Sequence, residues 1–121
     1  MKNVEREYRY KAAMAELEEF CKIFGMSLHW NRYADGLMLI RDNYTVMADQ
    51  SLYTRRSKTV IAESLLKRLK HGRKLVWVST QIKQAEGGTI ETRIKRTYKI
   101  PPFESVSQLK LILTAQGSEF A

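Results

Sequence analysis

Between positions 55 and 100 this 121-residue chain carries thirteen lysines and arginines against three acidic residues, and these cations are its side chains best equipped for chemistry. Twelve of them fall into three clusters: Arg55, Arg56 and Lys58; Lys67, Arg68, Lys70, Arg73 and Lys74; and Arg93, Lys95, Arg96 and Lys99. Phosphates are neutralised by cations at contact distance, each contact releasing condensed counterions, so several convergent lysines and arginines are the minimum equipment for holding a nucleic acid. Thr80, Thr92 and Thr97 can add hydrogen bonds to phosphate. Tyr44, Tyr53 and Trp30 offer faces for stacking a base, although aromatic residues in short strands more often fill a core.

The charge is local. Residues 1–54 hold seven cations against eight acids and residues 101–121 one against two, so the net charge of +8 belongs to the middle of the chain. Solvated faces ordinarily mix signs, and a segment that does not bears on partners rather than fold. Nucleic acid, DNA or RNA, is the first expectation; an acidic site on a larger protein is the second. In either case the expected contacts are Arg55, Arg56, Lys58, Lys67, Lys70, Arg73, Lys74, Arg93, Lys95, Arg96 and Lys99. The expected binding is electrostatic and salt-sensitive, without a base-reading motif.

No metal, cofactor or catalytic set emerges beside these cations. His29 and His71 are far apart, with no cysteine or carboxylate at ligand spacing from either, and His71 at a helix end is explained by the helix dipole. The paired glycines Gly87 and Gly88 have no helix behind them, which excludes a phosphate loop. Cys21 is the one cysteine, so there is neither an intramolecular disulfide nor a multi-cysteine zinc site, and its place in an apolar helical stripe marks it as a small core residue.

Asp35 opens an apolar strand, Asp49 closes the hairpin that follows, and a helix then leads through Gly72 into Val76-Trp77-Val78. Over about Ala34 to Val78 this order resembles the PD-(D/E)xK nuclease superfamily. The resemblance implies two acidic residues on adjacent strands holding Mg²⁺ and a lysine two positions after the second. Ser51 stands at that lysine's place, no proline precedes Asp35, and Gln81-Ile82-Lys83 keeps a lysine far from Asp35. Asp35, Asp42 and Asp49 also read simply as turn residues. The order of the first five elements resembles the double-stranded-RNA-binding domain, with Ser57-Lys58 opening the second helix, though no Gly-Pro-x-His-like loop is present.

The elements that must position the cations follow from periodicity. Tyr10, Ala13, Leu17, Phe20, Cys21 and Phe24 recur at helical steps, predicting a helix from Asn3, as its cap, to Phe24, ended by Gly25. Met26 to Trp30, Leu37 to Ile40 and Tyr44 to Met47 read as short strands separated by turn signals. A second helix is expected from Arg55 to His71, its apolar face Ile61, Ala62, Leu65, Leu66 and Leu69, with Glu63 paired to Lys67 four residues on.

Lys74 to Gln84 and Thr89 to Ile100 flank Gly87-Gly88, a hairpin signal. A Gly87-Gly88 turn would set Trp77 opposite Tyr98, Leu75 opposite Ile100 and Gln81 opposite Ile94, giving a ribbon with a core side and a basic side. Pro101-Pro102 ends it, and Ser105 with Gln108 starts a last helix through Leu113, apolar nearly all round and expected to lie against the hairpin.

The order α-β-β-β-α-β-β-α is that of an α+β fold, most simply an antiparallel sheet with helices packed on it. At 44% hydrophobic residues, 1–116 read as a single domain able to bury one core without a disulfide or metal. Gly117 to Phe120 spell what two adjoining cloning sites encode, so residues 117–121 are set aside as a possible tail. No run approaches the roughly 20 apolar residues that span a bilayer, no secretory signal is evident, and an intracellular place is expected.

Overall fold

The computed structural model describes residues 2–33, 35–50 and 56–117. Its elements are α1 (Lys2–Ile23), β1 (Ser27–Trp30), β2 (Gly36–Arg41), β3 (Tyr44–Gln50), α2 (Lys58–Lys70), β4 (Arg73–Ala85), β5 (Gly88–Ile100) and α3 (Val106–Ala115). The order is the expected one, and the strands form two antiparallel sheets, β1-β2-β3 and β4-β5.

The apolar stripe of α1 is buried at Ala13, Leu17, Phe20, Cys21 and Phe24. The helix starts at Lys2, so Asn3 lies inside it rather than capping it. Gly25, at φ +61°, turns the chain into β1. The apolar run of β2 makes it the central strand, with Leu37 and Leu39 wholly buried, and Asp42-Asn43, both at positive φ, form the tight turn into β3.

Helix α2 lays Ile61, Ala62, Leu65, Leu66 and Leu69 against α1, β2 and β3. It begins at Lys58, where the Ser57 side chain accepts a hydrogen bond from the Val60 N–H; Arg55 and Tyr53 lie outside the described residues. Glu63 pairs with Arg9 of α1 at 2.5 Å and not with Lys67, because packing the two helices brings that guanidinium within reach.

The β4–β5 register differs from expectation by two residues. Leu75 faces Tyr98, Trp77 faces Arg96 and Ser79 faces Ile94, closing at Ala85↔Gly88 around a Glu86-Gly87 turn. Gly88, at φ +137°, ends the turn as the first residue of β5 instead of forming part of the loop. Because side chains alternate with period two, a two-residue shift leaves every residue on its expected face. Only the partners change.

Beyond Ser79 the ribbon leaves the body. Every residue from Thr80 to Arg93 is exposed, which makes a free arm of six paired positions, about 20 Å long at the usual strand rise. Helix α3 packs on α1 rather than on the hairpin: Phe103 stacks on Phe20 with ring centroids 6.1 Å apart, and Lys110 pairs with Glu19 at 3.1 Å. It buries Val106, Leu109 and Leu113 but leaves Leu111 72% exposed, so one side suffices to anchor it. Ser105 caps it as expected, with Gln108 reaching back to the Glu104 N–H.

No helix among the described residues is long and apolar enough to cross a membrane.

Candidate nucleic-acid interface

The cations predicted from sequence separate into those that carboxylates already hold and those that solvent does. On α2 and just before it most are held. Arg56 donates to Asp49 and to the Gln50 carbonyl, and Arg68 reaches the other Asp49 oxygen at 3.6 Å and the Ala48 carbonyl at 3.1 Å. Lys70 pairs with Glu16 of α1 at 3.3 Å. Lys58 sits 5.1 Å from the centre of the Trp30 ring, whose indole N–H donates to Tyr10. Lys67 is exposed on the groove between α1 and α2. These groups fasten a helix to its neighbours or lie on separate faces; the structure does not gather them with the hairpin cations.

Asp49 is 4% exposed and also accepts from the Ser64 hydroxyl at 2.7 Å. Two guanidinium groups and a hydroxyl therefore occupy the carboxylate that the nuclease resemblance implies as a metal ligand. Asp35 accepts from Asn31 in the β1–β2 turn, a turn role. Among the described residues no cluster of three or more His, Cys, Asp or Glu residues could hold a metal ion.

On the hairpin the cations stand differently. The register puts Lys74 opposite Lys99, Val78 opposite Lys95 and Thr80 opposite Arg93, so four cations share the face that points away from the core. Lys74, Lys95 and Lys99 are exposed and pair with no acidic side chain among the described residues, while Arg93 has only a 3.8 Å contact with Glu91 on its own strand. Arg96 projects from the opposite face, across from Trp77, and is also exposed. Arg73 is turned inward against the Met47 sulfur at 3.3 Å; burial, and then Arg68 beside it, lower its pKa from the usual arginine value.

At the base of the arm the Asp42-Asn43 turn and the hairpin enclose an open cleft of about 1180 Å³. Its lining includes Arg41, Arg93, Lys95 and Arg96, with the exposed ring of Tyr44 at its edge. Strong twist in a two-stranded ribbon carries residues of both faces into one concavity. The cleft is framed by Ser79, which donates to Asp42 at 2.5 Å, and by Arg41, which donates to the Phe24 carbonyl at 2.5 Å while lying over Trp77.

Arg41 was invisible to sequence reasoning. It ends an apolar strand in a segment without excess charge, and only the docking of the hairpin onto the β2–β3 turn brings it beside Arg96 and Lys95. Of the aromatic candidates, Tyr44 opens onto the cleft, whereas Trp30 is engaged with Tyr10 and Lys58. No family model, no curated protein and no solved structure matches this chain.

Proposed function

We propose that the protein binds nucleic acid without cutting it, through the outer face of the β4–β5 hairpin and the cleft at its base. One observation carries the reading: Lys74 and Lys99, paired across the hairpin, and Lys95, four positions along the strand beyond the Val76–Thr97 pair, lie on a single exposed face with no carboxylate among the described residues to neutralise them, while Arg56, Arg68 and Lys70 of the same basic segment are neutralised internally. A row of uncompensated cations attracts polyanions and steers their approach. Arg93 extends the row and Arg96 enters the cleft from the opposite face, Thr80 and Thr97 stand beside the row as hydrogen-bond donors, and Tyr44 supplies a ring for an unpaired base. A β-ribbon also has the width to lie in a major groove.

The test is a fluorescence-anisotropy titration of random single- and double-stranded DNA and RNA at several salt concentrations. Affinity whose logarithm falls linearly with the logarithm of salt, and which charge reversal at Lys95 and Lys99 weakens, supports the reading. Absence of binding at low salt overturns it and moves the basic face to an acidic protein partner.

A further inference from the structure

Strand β5 has a ladder on one side only; its sole partner among the described residues is β4. The other edge offers alternate N–H and C=O groups to water over the whole exposed arm, and a two-stranded ribbon with no core beneath it is marginal by itself. Edges that must stay single commonly carry like charges. This edge does not. From residue 90 it reads Ile90, Glu91, Thr92, Arg93, Ile94, which is apolar, charged, hydroxyl, charged, apolar from either end, with opposite signs at the mirrored positions.

An antiparallel partner is read in the reverse direction, so such a strand is complementary to itself. We propose that two copies of the chain pair edge to edge through β5 about a two-fold axis at Thr92, joining their hairpins into one four-stranded antiparallel sheet. In this register Glu91 of each copy faces Arg93 of the other, Ile90 faces Ile94, Thr92 faces Thr92 and Lys95 faces Thr89. Glu91 and Arg93 are available for it, their side chains being 58% and 77% exposed, and Ile90 is 54% exposed. Charge also fixes the register. An axis at residue 91 sets glutamate against glutamate and one at 94 sets Arg93 against Lys95; one at 93 pairs Glu91 with Lys95 but places arginine against arginine at its centre, so of these only the axis at 92 pairs opposite charges with no like pair. The symmetry is isologous and closes at two. Since the axis is perpendicular to the sheet, Lys95 and Lys99 of both copies come to one side, doubling the basic face; the pairing itself does not depend on what that face binds.

Sedimentation velocity of the full chain without nucleic acid, from micromolar to near-millimolar concentration, tests this. A concentration-dependent dimer is expected. Arg93→Glu alone and Glu91→Arg alone each move dimerisation to at least about tenfold higher concentration, and the doubly swapped chain E91R/R93E restores it, because cross-strand charge pairs are exchanged symmetrically. A chain that stays monomeric throughout, or a dimer indifferent to these reversals, overturns the proposal. Geometry is read independently by Thr92→Cys, which should oxidise to a covalent dimer while Cys21 stays buried; Thr80→Cys, on the neighbouring strand, should not. A dimer in which the Thr92→Cys chain fails to cross-link also overturns it.

Discussion

Trp77 and Tyr98 are diagonal neighbours across the hairpin, not register partners, and their rings meet edge to face with centroids 4.9 Å apart. The Arg41 guanidinium lies 4.7 Å from the centre of the Trp77 ring and 5.9 Å from that of Tyr98, and Phe24 closes on Tyr98 from α1 at 5.5 Å. This joint is where the ribbon leaves the body. Below it Leu75 and Ile100 are in the core; above it Val78, Ser79 and Ile94 are still half-buried, and from Thr80 to Arg93 every residue is exposed.

Trp77→Ala removes the wholly buried ring on which the joint is built. A loss of about 3–5 kcal/mol in unfolding free energy is expected from urea denaturation, the usual cost of emptying a large aromatic site. Trp77→Phe should retain most of the stability.

Arg41→Ala deletes the hydrogen bond to the Phe24 carbonyl together with both ring contacts. The expected cost is about 1–3 kcal/mol, with earlier proteolysis of the arm, and Arg41→Lys should recover only part of it because an ammonium cannot bridge and stack at once.

Asp49→Ala leaves Arg56 and Arg68 without their shared carboxylate. Arg56 and Arg68 are 27% and 45% exposed, so water partly replaces the lost partner, and the expected cost is about 1–3 kcal/mol, readable as a lower melting temperature. Because guanidinium groups already fill this carboxylate's coordination, Mg²⁺ or a chelator should leave the melting temperature of the unaltered chain unchanged.

Lys95→Glu with Lys99→Glu should weaken nucleic-acid binding and flatten the slope of log affinity against log salt by about two, near one for each phosphate that is no longer neutralised. Lys70→Glu, which removes the partner of Glu16, should lower stability and leave that slope unchanged.

Burial, and secondarily Glu18, push the Cys21 thiol up from 9.0 to about 12. A thiol raised on folding contributes stability that is complete below its unfolded pKa and is lost as pH climbs toward the folded one. Relative to Cys21→Ala, the unaltered chain should therefore lose stability between pH 9 and 12. Below that window, thiol reagents should label Cys21 only on unfolding.

Local sequence was enough to determine which segments become helix and strand, which face of each is apolar, and where the cations concentrate, because these depend on neighbours three, four or two positions away. It placed Lys74, Lys95 and Lys99 on one face even with a hairpin register wrong by two, since an even slip does not exchange faces. Gly87-Gly88 marked a turn expected to hold both glycines, and the Glu86-Gly87 loop instead set the register.

Tertiary structure decided which charges remain free. Lys70, Arg56 and Lys95 carry the same charge, and what separates them is whether a distant carboxylate, Glu16 or Asp49, is carried within ion-pair distance by packing. It also decided that α3 covers α1 instead of the hairpin, which leaves the ribbon bare beyond Ser79, and that Arg41 enters the cleft. Such outcomes rest on contacts between segments far apart in the chain, and no pattern within a window of residues encodes which of several apolar faces a given helix will meet.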